Sequence, residues 1–180
     1  MIIFLGIAGS GKSVQCRLLS TALGCDYISV GELLRKNTSV SDQVKMAEGE
    51  LLNDNMVIDL VAKEIKKIPE DQEFIIDGFP RTLVQAKWIV NESDSHPIKV
   101  IHIKIDELEV VRRLKLRNRQ DDNIEAIHKR INEYNQLIEP VLEEFKAKDV
   151  SVYDIDGSRG MQEVSYQILA DLQEIKEPIT

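Results

Sequence analysis

One hundred and eighty residues with 43% apolar side chains are enough for one globular domain, residues 1–180, with a sizeable core, and make two domains an unfavourable reading. A net charge of −8 argues against a broad nucleic-acid surface, so an anion bound here must be held by a local group of arginines. No apolar run is long enough to span a bilayer, and the first residues lack the basic start of a signal peptide. The expectation is a protein of the cytosol with neither a membrane nor a nucleic acid as partner.

The chain opens with an unbroken apolar run, Met1 to Leu5, of the kind expected for a strand buried on both faces of a parallel sheet. Gly6, Gly9 and Gly11 follow, then Lys12 and Ser13. The spacing Gly6, four residues, Gly11, Lys12, Ser13 is that of a phosphate-binding P-loop, provided a strand precedes it and a helix follows. The helix is read from Val14, Leu18, Leu19, Ala22 and Leu23 at helical spacing, with Gly24 as its stop. At such a junction the unpaired backbone N–H groups and the positive end of the helix dipole favour an anion. Lys12 adds a point charge and Ser13 a hydroxyl for a magnesium ion. The alternative is a glycine-rich turn with Lys12 on the surface.

Next come a short strand, Cys25 to Val30, and a helix start over Gly31 to Lys36. Helical hairpins follow, with Ser41 able to cap one helix, Gly49 breaking it, and Asn53 or Asp54 capping the next, up to Pro69. Glu73 to Asp77 is a buried-type strand, followed by a helix over LVQAKWIV. Ile98 to Ile105 is a further strand, followed by a basic helix from Glu107 to about Leu116, on which Arg112, Arg113 and Lys115 form a solvated face. Asn123 caps a long helix through Ala147, in which Pro140 predicts a kink or local break. Val150 to Ile155 is the last strand and Met161 to Ile175 the last helix. Five strands each followed by helix imply an α/β fold: a five-stranded parallel sheet with helices on both faces and ligands at the carboxyl ends of the strands. Cys16 and Cys25, with no CxxC pair or nearby histidine, read as reduced core residues. His96, His102 and His128 read as structural or solvated.

The run FIIDGFPRTLVQA, Phe74 to Ala86, places Asp77 at the same sheet edge as the P-loop. Its carboxylate is costly there without a cation, and magnesium held through water beside Ser13 is the natural partner. The alternative is that Asp77 caps the helix starting near Thr82. Gly78 permits a sharp turn and Pro80 fixes it, with a cis Phe79–Pro80 bond as one option. Arg81 leaves this turn across the strand ends.

GIAGSGKSVQ, ISVGELLR, FIIDGFPRTLVQA, R-N-RQDDN and IHKR together resemble the adenylate kinases of the short type, in order and over nearly the whole chain. The resemblance implies the three-layer P-loop NTP hydrolase fold, a monomer, and the reaction of MgATP with AMP to give two ADP. It implies that Gly9, Ser10, Gly11, Lys12, Ser13 and Val14 hold ATP phosphates. Arg35 and Arg81 would hold the AMP phosphate and Gln85 would read its adenine, within a helical AMP-binding segment at about residues 30 to 59 that includes Val30, Gly31, Met56 and Val57, with Gly78 in the same site. Arg117, Arg119 and Arg130 would gather on the phosphates being exchanged, Ser158 would lie by the ATP base, and a minimal lid would span about residues 117 to 123. Arginine suits these tasks because its guanidinium is planar, permanently charged and bidentate toward phosphate. Other uses stay open: Arg35 can pair with Glu32, and Arg130 with Glu133 or Glu125.

Two features depart from the family pattern. Val30 stands where adenylate kinases usually carry threonine, removing a hydroxyl near the base. Only Asn118 separates Arg117 from Arg119, so lid closure would be a small movement, with Asp121 or Asp122 pinning the loop. The lid has no cysteine, so a structural zinc is not expected. Beside the adenylate kinase reading stand a UMP/CMP kinase or related small-acceptor kinase, and a catalytically silent nucleotide sensor. The full set Lys12, Asp77, Arg81, Arg119 and Arg130 argues against the last.

Overall fold

The computed structural model describes residues 1–92, 96–117 and 123–173. Among these, five strands form one parallel sheet: β1 (Ile2–Leu5), β2 (Asp26–Ser29), β3 (Phe74–Asp77), β4 (Lys99–Lys104) and β5 (Ser151–Asp156), in the order β2-β3-β1-β4-β5. Eight described helices lie between and after them, three in the β2–β3 connection and two in the β4–β5 connection: α1 (Lys12–Leu23), α2 (Val30–Asn37), α3 (Val40–Ala47), α4 (Asp54–Ile65), α5 (Leu83–Asn91), α6 (Glu107–Arg117), α7 (Ile124–Ala147) and α8 (Met161–Gln173). This is the α/β, P-loop-type architecture expected of the sequence.

The period-2 alternation of β1 builds both cores at once. Ile2 and Phe4 face α1 and α8, packing with Ile75, Ile101, Cys16 and Ile168. Ile3 and Leu5 face the other way, toward α4, α5 and α7, with Phe74, Ile76, Val61, Ile89 and Phe145. A smaller cluster of Ile7, Val110, Leu114, Ile127 and Ile131 seats α6 and α7 beneath the loop after β1. The registers Phe4↔Asp77 and Ser29↔Asp77 bring the carboxyl ends of β1, β2 and β3 level, and the loops that follow them share one edge.

Several local expectations change. α3 is capped by Ser39, whose Oγ accepts from the Asp42 N–H, so Ser41 lies inside the helix. α4 is capped by Asn53 and ends at Ile65 rather than running to Pro69. Pro140 does not interrupt α7, which is continuous over 24 residues. α1 buries Gln15, Cys16 and Leu19, while Val14, Leu18 and Leu23 stay 38–40% exposed. Its inner face is set by contact with β3 and α8, where the Gln15 amide donates to the Met161 carbonyl at 2.9 Å. The Phe79–Pro80 peptide bond is cis.

Gly157, after β5, is held against the loop after β1: a Cβ there would lie 2.6 Å from Ile103 Cγ2 and 3.2 Å from the Ser10 carbonyl oxygen. Gly157→Ala is therefore expected to destabilise the fold by about 1–3 kcal/mol, as overpacking does. Urea denaturation with unchanged slope measures it.

Candidate active site

The loop between β1 and α1 takes its shape from two close approaches. Gly6 has φ 145° and its missing Cβ would stand 2.6 Å from the Ile103 carbonyl oxygen; Gly9 has φ 87° and its missing Cβ would stand 3.0 Å from Leu114 Cγ. Side chains are barred at both positions, so the backbone lies bare at the mouth of α1, whose cap Gly11 makes no side-chain hydrogen bond to the first turn. Unpaired N–H groups at such a helix start suit an anion.

Asp77 lies at the floor, 5% exposed. Its Oδ2 accepts from Ser13 Oγ at 2.5 Å and from the Tyr27 hydroxyl at 3.1 Å. Thr82 caps α5 itself through the Gln85 N–H, so Asp77 is not that cap. Lys12 folds back to donate to the Ile7 carbonyl at 3.0 Å. Burial lowers its pKa, opposed chiefly by Asp77. Arg81 donates from Nε to the Gly78 carbonyl at 2.9 Å. Its guanidinium is reached by solvent through the cleft yet surrounded by protein; desolvation lowers its pKa, Asp77 opposes this, and Arg130 and Arg35 add to the lowering.

These groups open onto one cleft of about 1150 Å³. Gly9, Gly11, Lys12, Ser13 and Val14 line it on the P-loop side, with Arg117 from the end of α6. Gly31, Arg35, Gly78, Arg81 and Arg130 line the opposite side. Arg35 forms no ion pair with Glu32 or any other described residue, and Arg130 donates from Nη2 to the Met46 carbonyl at 3.1 Å. The arrangement offers cations on two sides of a carboxylate and a hydroxyl, which is what two polyphosphate tails facing each other require.

Other predicted residues stand back from the wall. Val30 is 1% exposed and packed in the core with Val57, while Met56 is partly buried against the same core. Gln85 is 2% exposed, its amide held by Asp54 and the Arg81 backbone. The Ser10 side chain is buried, and Ser158 bonds Asp156. Arg119, Asn118, Asp121 and Asp122, and with them most of the lid, lie outside the described residues; Asn123 does cap α7, accepting from the Ala126 N–H.

Sequence reasoning missed three groups. Arg113, expected on a solvated face, is 27% exposed, lines the cleft and pairs with Glu109 at 2.7 Å. Glu109 is pushed down to about 2 by its hydrogen bonds from Arg112 and Arg113. The i, i+4 spacing of Glu109 and Arg113 was the available signal. Tyr27 carried none, since only the sheet register brings β2 beside Asp77. Glu133, one turn after Lys129, also lines the cleft, and burial raises its pKa. His102, by contrast, is structural as expected: its ring joins Asp154 at 2.8 Å to the Tyr134 hydroxyl at 2.7 Å, in a separate crevice between the sheet and α7.

A glycine loop running from a buried parallel strand into a helix start, facing a wall of arginines, defines a P-loop protein built for phosphate groups. The adenylate kinase family model matches residues 4–150. Adenylate kinase from Prochlorococcus marinus (strain MIT 9301) is 36% identical over 176 residues, covering 93% of this chain and 95% of the relative. Those of Archaeoglobus fulgidus and Thermus thermophilus are 31% and 32% identical, covering 97% and 95% of this chain and 99% and 96% of the relatives. The chain belongs to the adenylate kinase family and is a phosphoryl-transferring kinase of that kind. Among the described residues no helix is long and apolar enough to cross a membrane.

Because both hydroxyls converge on one oxygen of Asp77, Tyr27→Phe deletes a hydrogen bond to a charged group without changing shape. A stability loss of about 1–2 kcal/mol is expected, read by thermal or urea unfolding.

Proposed function

We propose that the protein catalyses the reversible, magnesium-dependent transfer of the γ-phosphoryl group of ATP to AMP, giving two ADP. The observation that carries this reading is the shared cleft: the P-loop with Lys12 and Ser13 on one side, Arg35, Arg81 and Arg130 on the other, with Asp77 between them. A protein that bound one triphosphate would have no use for the second group of arginines.

In this reading the bare loop and Lys12 hold the ATP phosphates, and Arg35 and Arg81 hold the phosphate of AMP. An oxygen of that phosphate attacks the γ-phosphorus; the bond from γ-phosphorus to the bridging oxygen breaks, and ADP leaves from each side. Arg117, Arg119 and Arg130 neutralise charge on the equatorial oxygens, so most of the rate comes from positioning and electrostatics. Ser13 Oγ and the Asp77 carboxylate form a hard oxygen pair that fits a magnesium ion retaining several waters, Asp77 acting through one of them. Bound there, magnesium would supply positive charge that offsets the charge developing on the phosphates. The segment at about residues 30 to 59 serves as the AMP side and residues 117 to 123 as a short lid, all within a single monomeric domain of the cytosol. Gln85 reads the adenine edge.

A coupled ADP-formation assay with AMP, CMP, UMP, GMP and no acceptor tests the reading: turnover is expected with AMP, far above the others, and only with a divalent cation present. Turnover confined to a pyrimidine monophosphate, or none with any acceptor, would overturn it. Lys12→Met should lower kcat by about 10²–10³-fold, the scale of losing one preorganised charge donor. Its melting temperature should stay within a few degrees of the parent, because it removes a desolvated charge from the first turn of α1 rather than a core contact.

A further inference from the structure

Asp54 is the first residue of α4, behind the cap Asn53. A single oxygen of its carboxylate, Oδ1, accepts from Thr82 Oγ1 at 2.9 Å and from Gln85 Nε2 at 2.7 Å. At the other end of the same amide, Gln85 Oε1 accepts from the Arg81 backbone N–H at 2.8 Å. These two partners cannot be exchanged. A backbone N–H only donates and a carboxylate only accepts, so turning the amide over would set two donors face to face and an oxygen against a carboxylate. With the side chain 2% exposed, water cannot relieve that mismatch.

The amide is therefore locked in one sense. What remains on it is one N–H and one lone pair of the oxygen, in fixed positions. A purine edge carrying an amino group and an unprotonated ring nitrogen matches that order. An edge carrying a carbonyl oxygen and a ring N–H presents the reverse. A glutamine free to turn over would accommodate both.

We propose that Asp54 is a specificity-positioning residue: by fixing which end of the Gln85 amide meets the base, it makes the acceptor site select a 6-aminopurine monophosphate against its 6-oxo counterpart. This rests on the reading of Gln85 as the residue that meets the acceptor base. AMP and IMP differ only in that edge, which makes their ratio the natural probe.

The test compares kcat/KM for AMP and IMP in the full-length protein and in Asp54→Ala, Asp54→Ser, Thr82→Val and Gln85→Ala. Asp54→Ala should lower the AMP to IMP ratio about tenfold, through KM of the monophosphate, with KM for MgATP unchanged. Asp54→Ser, too short to reach Gln85 but compatible with a helix start, should do the same and stands in if the alanine variant does not fold. Thr82→Val breaks the other bond to Asp54 and removes the α5 cap on the Gln85 N–H while leaving the amide locked, so it should lose stability but keep the parental ratio. A parental ratio in Asp54→Ala or Asp54→Ser, alongside a collapsed ratio in Gln85→Ala, would overturn the positioning role alone. An unchanged ratio in Gln85→Ala would instead remove Gln85 as the base reader, and the proposal with it. A Thr82→Val ratio that falls as far as that of Asp54→Ala would assign the effect to the α4–α5 tie or the α5 cap rather than to the sense of the amide, and also overturn the proposal.

Discussion

A carboxylate 5% exposed at the end of a central strand is tolerable only if its charge is answered nearby, and at Asp77 four side chains from three different segments answer it. Ser13 and Tyr27 donate to Oδ2, while Lys12 and Arg81 supply charge. Each comes from the carboxyl edge of the sheet: α1 after β1, β2 itself, and the turn after β3. The parallel register that sets Asp77 level with Phe4 and Ser29 is thus also what assembles the cleft floor. If β3 slipped by one residue, Asp77 would point to the opposite face of the sheet and the cluster would have no centre.

That centre does not neutralise its surroundings. Lys12 and Arg81 both have their pKa values lowered by burial, and Arg81 is further lowered by Arg130 and Arg35. Several cations held in a concave, partly desolvated wall favour an incoming polyanion, whose charge replaces the hydration they have lost. In a chain of net charge −8 this positive potential is local. Preorganised cations need little rearrangement when charge develops on a transferring phosphoryl group, which is where electrostatic stabilisation acts.

The fold was legible in the sequence because its signals are strong and local: apolar runs for strands, Gly11 and Gly24 around α1, Asn53 and Asn123 as caps. The P-loop was legible because glycine is forced where backbone meets backbone, as at Gly6 against the Ile103 carbonyl. What failed was whatever depends on which face of an element turns inward. The apolar spacing of α1 points to Val14, Leu18 and Leu23, yet packing against β3 and α8 buries Gln15, Cys16 and Leu19. Arg113 looks like its neighbour Arg112 in sequence, but the seating of α6 against the loop after β1 turns it to the cleft. Tyr27 and Asp54 act through partners 50, 28 and 31 residues away in the chain, and no spacing rule reaches that far.

The side of the cleft lined by Arg35 and Gly49 is held unevenly, and the unevenness follows from burial. At its α4 root the segment is tied to α5 by Asp54 through partly buried hydrogen bonds, and its apolar face, Val30, Leu34, Val57 and Val61, belongs to the main core. At the turn between α3 and α4 the contacts with α7 are lighter. Lys129 and Glu50 pair at 2.8 Å with both side chains about 40% exposed, an ion pair worth about 0.2–1 kcal/mol. Arg130 reaches the Met46 carbonyl, and Gly49 allows the turn to lie against the Ala126 carbonyl at the head of α7. The strong ties therefore lie beside the residues that fix the amide of Gln85, and the weak ones where Arg130 lines the cleft. Under the proposed function a base-reading amide would need a rigid frame, whereas a cation meeting a transferring group would have to exchange a carbonyl for a phosphate oxygen; the distribution of buried and exposed bonds along α4 and α7 suits both demands.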